Sequence, residues 1–102
     1  MIGQFKGPYS YTKKIVEDWN STVIGVYYLG IKTLENKLTV YYIGRAVGEG
    51  GIRGRLLQHL NENEWSDITH FGYQTCDTEE EAIEFESEEI DKYKPNHNQI
   101  GI

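Results

Sequence analysis

The sequence predicts a small α+β domain, with a three-stranded antiparallel sheet packed against helices. Three observations carry this. Two consecutive runs, Val23 to Leu29 and Leu38 to Ile43, are rich in β-branched and aromatic residues. A glycine-rich loop, Gly44 to Gly51, opens into an amphipathic segment from about Ile52 to Leu60. A capped, strongly acidic segment then runs from Asp77 to about Lys92 and stops before Pro95. At 102 residues, 38% hydrophobic and 25% charged, the chain has room for one core and one site.

In order, the elements expected are helix, strand, strand, helix, strand, helix. Ser10 or Tyr11 to Trp19 forms a short helix, with Ile15, Val16 and Trp19 toward one side and Pro8 and Asn20 as punctuation. This N-terminal extension, residues 1–22, covers a sheet face. The two strand runs form a hairpin closed by the polar stretch Lys32 to Lys37. Its pairing can place the hydroxyls of Tyr27 and Tyr42 on one face, although strand tyrosines are more commonly packing residues with a wet hydroxyl. Ile68, Phe71, Tyr73 and Thr75 mark a third strand within Trp65 to Thr75. Asp77, with Glu80 three residues on, is the expected cap of the last helix. There is no internal repeat and no sign of a second domain.

Composition narrows the function classes. One cysteine, Cys76, leaves no internal disulfide and no cysteine-built zinc cluster, and suits a small buried thiol. No apolar run approaches the roughly 20 residues of a membrane span, and the N-terminus lacks a signal peptide's apolar core, so a cytoplasmic protein is expected. A net charge of −6 disfavours a polyanion partner at face value. Residues 77 to 91, however, hold nine of the 16 acids and neither Lys nor Arg, leaving ten basic against seven acidic residues elsewhere. Arg45, Arg53 and Arg55 lie close together with only Glu49 opposing them, enough for a modest basic face. The glycine-rich loop fits neither a P-loop nor a dinucleotide fingerprint and simply lets the chain turn off the second strand.

Within the helical segments, Ile52, Leu56 and Leu60 form an apolar stripe with Arg55 and His59 one turn apart along its edge. On spacing alone such a pair is more often a solvated flank. On the last helix, Ala82, Ile83, Glu86, Ile90 and Tyr93 fall within an arc of about 100°, placing Glu86 in an apolar face. Glu79 and Glu89 fall near the same arc, while Glu84, Glu88 and Asp91 point to solvent. A carboxylate in an apolar face needs a cation: either one Mg²⁺ or Mn²⁺ ion, or an arginine such as Arg55.

Gly25-Val26-Tyr27, Tyr42-Ile43-Gly44, Arg55 with His59, Glu86 on the acidic helix and Lys94-Pro95-x-x-Asn98 stand in the order of the GIY-YIG nuclease motifs, and the chain resembles that family from residue 23 on. Val26 replaces the usual Ile, and the stretch from Tyr27 to Tyr42 is longer than usual, implying an extended hairpin. The resemblance implies metal-dependent hydrolysis of DNA phosphodiesters. Tyr27 would activate water with help from His59; Arg55 and Tyr42 would hold the phosphate; Glu86 would bind Mg²⁺ or Mn²⁺; and Asn98 would order the site by bonding a strand tyrosine or a backbone group. Arg45 and Arg53 are expected substrate contacts. Arg45 replaces a frequent Lys and cannot serve as base. Tyr27 as base needs a neighbouring cation, for which Arg45 is the candidate. DNA recognition elements are not evident, so a DNA-binding partner protein or subunit is expected. The alternative is a non-catalytic nucleic-acid-binding or protein-interaction module of the same fold.

Overall fold

The computed structural model describes residues 1–19, 22–62 and 65–99. The elements are β1 (Lys6–Ser10), α1 (Lys13–Asp18), β2 (Gly25–Lys32), β3 (Leu38–Ala46), α2 (Gly51–Glu62), β4 (His70–Thr75), α3 (Glu79–Tyr93) and a closing 3-10 turn, Asn96–Gln99. All strand pairs are antiparallel, and the order across the sheet is β1-β4-β2-β3.

The sheet therefore has four strands where the sequence predicts three. The addition is β1, which pairs with β4 through Lys6, Tyr9 and Ser10. Gly7-Pro8 interrupts its register, and a proline in a short run argues against a strand unless that strand lies at an edge. β1 does lie at an edge. Its presence displaces the start of α1 to Lys13, capped by the Thr12 hydroxyl accepting from the Ile15 N–H. Only Val16 of α1 is buried; Ile15 is largely exposed.

β2 is central and buried on both faces, so alternate residues belong to different cores. Tyr27 and Leu29 pack with Val16, Ala46, Ile52, Leu56 and Phe71 beneath α1 and α2. Val26 and Tyr28 pack with Ile43, and α3 adds Phe85 and Ile90 from the opposite side. Cys76 is buried, and its thiol is pushed up by that burial.

The acidic helix starts one residue later than expected. Thr78, not Asp77, is the N-cap: its hydroxyl accepts from the Glu81 N–H at 3.1 Å, and Glu81 reaches back to the Asp77 N–H at 2.9 Å. The helix ends at Tyr93, with Lys94 in the left-handed region (φ 47°), directly before Pro95. Its buried face is also rotated from the expected arc. Ala82 and Glu89 are the buried residues, whereas Ile83 and Tyr93 are about half exposed. Glu84, Glu88 and Asp91 face solvent as expected. Among the described residues, no helix is long and apolar enough to cross a membrane.

Candidate active site

The hairpin register decides which side chains meet. From the turn upward, Lys32 faces Leu38, Ile31 faces Thr39 and Gly30 faces Val40; the next pair is Leu29 with Tyr42. Tyr41 is an extra residue, a bulge. Without it Tyr42 would lie opposite Tyr28 and share its face, because a one-residue slip inverts every side chain. With it, Tyr42 joins the face of Leu29 and Tyr27, and the Tyr27 and Tyr42 rings lie 6.2 Å apart.

The glycines of the two triplets are required by close approach. A Cβ on Gly25 would stand 2.2 Å from the Gln74 carbonyl oxygen, on the neighbouring strand. A Cβ on Gly44, which pairs with Tyr27, would stand 2.4 Å from the Tyr27 hydroxyl. The phenol of Tyr27 thus lies across the space that a side chain at Gly44 would fill.

Beside that phenol is a cavity of about 450 Å³, lined by Tyr27, Tyr42, Arg45, Val47, Gly48, Arg55 and Glu86. Four elements and the loop after β3 contribute to it. It straddles the β3 edge, taking Arg55 from α2 on one face of the sheet and Glu86 from α3 on the other. A second, mostly apolar cavity, of about 300 Å³, lies near the hairpin turn around Phe5, Leu38 and Tyr93. Its lining holds one charged side chain, Lys37, whereas the cavity at Tyr27 gathers Arg45, Arg55 and Glu86 beside two phenols.

Tyr27 is fully buried, and its hydroxyl lies 2.9 Å from His59 Nε2. Burial holds the phenol well above the usual tyrosine range; Tyr42 adds to the rise, and Arg55 opposes it without reversing it. The cation acting on Tyr27 is therefore Arg55, not Arg45. His59 is 8% exposed and sits behind the tyrosine, away from the cavity lining. Arg55 Nη1 donates to Gln58 Oε1 at 2.8 Å, and Gln58 Nε2 donates to Glu62 Oε1 at 2.9 Å, which orients the guanidinium along α2.

Glu86 pairs with Arg45, not Arg55: Nη1 to Oε1 is 2.8 Å. The Glu86 side chain is 16% exposed and lines the cavity. No cluster of three or more His, Cys, Asp or Glu occurs among the described residues. A single carboxylate in a roomy polar cavity does fit Mg²⁺, which keeps several waters and binds through one or two carboxylates plus substrate phosphate. The more deeply buried carboxylate is Glu89, and it is closed off, its Oε1 2.7 Å from the Tyr28 hydroxyl.

Asn98 lies outside the cavity lining. Its Oδ1 accepts from the Ile43 N–H at 2.7 Å and its Nδ2 donates to the Ile43 carbonyl at 2.8 Å, so one amide supplies both ladder bonds on the open edge of β3. It fixes the backbone between Tyr42 and Gly44, and of the two routes expected for it the backbone one is found. Arg53 is not brought to the cavity. Its Nη2 donates to the Glu17 carbonyl at 3.0 Å, tying α2 to α1.

Trp65 is a member of the site that sequence reasoning did not single out. Its ring centroid lies 4.7 Å from Tyr42, 5.4 Å from His59 and 5.3 Å from His97, the last stacked at 15°. His97 backs this stack and reaches Asp67 at 3.1 Å. A lone tryptophan between two elements offers no periodicity to read.

The two buried tyrosines give a stability prediction. Burial raises both Tyr27 and Tyr28, the latter with Glu89 adding to the rise. Above about pH 10 the unfolded chain loses these protons while the folded chain keeps them, so stability falls as pH rises. The expected slope is about 1.4 kcal/mol per pH unit for each phenol, halved in Tyr27→Phe. Denaturant melts between pH 9 and 11 measure it, and equal stability across that range would show that neither phenol is shielded.

Compared with known proteins, the chain matches no family model, no curated protein and no solved structure at a significant level.

Proposed function

We propose that this chain is a divalent-cation-dependent endonuclease of the GIY-YIG type that hydrolyses DNA phosphodiester bonds. The observation that carries the reading is the convergence of Tyr27, Tyr42, Arg55 and Glu86 on one cavity from β2, β3, α2 and α3. A guanidinium, two phenols and a carboxylate are what binding a phosphodiester, handling a water proton and holding a hard cation require.

In this mechanism Arg55 binds the scissile phosphate and takes up the extra charge of the transition state. Tyr42 donates its hydroxyl proton to a non-bridging oxygen. Tyr27 is too shielded to ionise, so it works as a neutral shuttle: its hydroxyl passes a proton to His59 Nε2 as its oxygen takes one from the attacking water. The shuttle runs in this direction when His59 carries its own proton on Nδ1. Glu86 holds the cation, which when bound supplies charge stabilisation to the leaving 3′ oxygen. The chain's net charge of −6 fits a protein that receives DNA with help from a basic partner or subunit.

The test is incubation of labelled duplex, flap and branched DNA at low salt with Mg²⁺ or Mn²⁺, against EDTA. Glu86→Gln prepared in parallel controls for contaminating nucleases. Cutting by the wild type in metal alone is the expected result. Folded protein that binds but never cuts any of the three would replace the reading with that of a non-catalytic module.

A further inference from the structure

We infer that Arg45 is a built-in occupant of the cation seat at Glu86, so that loading the site is an exchange of one cation for another. The inference rests on Glu86 being the cation ligand and concerns what controls that ligand.

The geometry puts the two partners in unequal positions. Arg45 Nη1 donates to Glu86 Oε1 at 2.8 Å, and so occupies the carboxylate oxygen that would otherwise be open to a metal. Glu86 is largely covered, with 16% of its side chain exposed, and a covered carboxylate is costly without a positive partner. Arg45 is 45% exposed, on the last residues of an edge strand, and can swing out into water at little cost. A pair with one partner so exposed is weak. Glu86 thus has a cation at all times, and its first cation is held loosely enough to be displaced.

Displacement has a second consequence. Arg45 and Arg55 both line the cavity. Arg45 released from Glu86 remains on that wall with a free guanidinium, the group best shaped for a phosphate. Metal entry and phosphate binding are therefore coupled through one side chain. Metal drives Arg45 toward the phosphate, and a phosphate that captures Arg45 clears Glu86 for metal; the coupling is reciprocal.

The test measures Mn²⁺ affinity directly, by the electron paramagnetic signal of the free ion, with no substrate and no activity readout. Wild type, Arg45→Gln, Arg45→Lys, Arg55→Gln and Glu86→Gln are compared, each checked for folding by circular dichroism. Arg45→Gln is expected to bind Mn²⁺ roughly fivefold or more tightly than wild type. Arg45→Lys, which keeps the charge, stays near wild type. Arg55→Gln removes a positive charge from the same wall but no contact to Glu86, and has the smaller effect.

Equal tightening by Arg55→Gln and Arg45→Gln would reduce the effect to the general field of the cavity and overturn the exchange. So would unchanged or weaker binding in Arg45→Gln while Glu86→Gln still abolishes it, leaving Glu86 as ligand intact. Mn²⁺ binding that ignores Glu86 in every background would remove both the exchange and the metal reading beneath it.

Discussion

Arg55→Ala is expected to slow single-turnover DNA cleavage by about 10³-fold with the fold intact. The size follows from where the guanidinium sits. It lines the cavity beside two phenols, where a fixed guanidinium can meet the charge that develops on a bound phosphate. Its hydrogen bond to Gln58 orients it without neutralising it. A lysine at this position supplies a charge but not the fork, so Arg55→Lys is expected to recover less than about tenfold of the loss. Arg55→Ala also removes the cation that opposes the rise of Tyr27, which makes the phenol harder still to ionise. Stability is expected to change by no more than about 0.5 kcal/mol, because the side chain is partly exposed. The check is the split between kinetic constants. Loss in kcat marks a contact made in the transition state, whereas a raised KM with kcat unchanged would reduce Arg55 to a docking charge.

The fold was legible wherever local pattern and tertiary role agree. The β2 and β3 runs, the stripe of α2 and the stop at Pro95 all carry their own signals, and the structure has each element within a few residues of expectation. β1 was illegible for a physical reason. A five-residue strand containing Gly7-Pro8 has the signature of a turn, and only its edge pairing with β4 makes it a strand. The helical wheel of α3 pointed to an apolar face containing Glu86, but a wheel cannot say how deep each position lies. Glu89, near the same arc, is the one sealed against Tyr28, while Glu86 sits at the cavity rim with Arg45. The partners were the least legible feature. That Glu86 would take Arg45 and not Arg55, and that Trp65 would pack against Tyr42 and His59, depend on distances across the sheet edge, and that Arg53 would turn to α1 depends on how two helices meet. The face on which Tyr42 lies is set by the Tyr41 bulge, which no local pattern marks.

The bulge also makes Tyr27 a sharper test than a tyrosine of unknown surroundings would be. Tyr27→Phe keeps the ring in its core and deletes only the oxygen between the cavity and His59. The expected loss of cleavage is about 10²- to 10³-fold, the range of a positioned proton-transfer group. His59→Phe is expected to fall in the same range, although His59 does not line the cavity and is 8% exposed. The double variant should be no worse than either single one, since a relay cut at one link gains nothing from a second cut. Two independent roles would instead multiply. The pH profile separates the shuttle from an ionised tyrosine acting as base. An ionised base demands a tenfold rise in rate per pH unit through the alkaline range, up to the raised value of the phenol. A neutral shuttle shows no such rise, because the burial that lifts Tyr27 keeps its proton in place throughout. Sustained alkaline activation lost in Tyr27→Phe would refute the shuttle and require the active state to bring a stronger cation to the phenol than Arg55 supplies here.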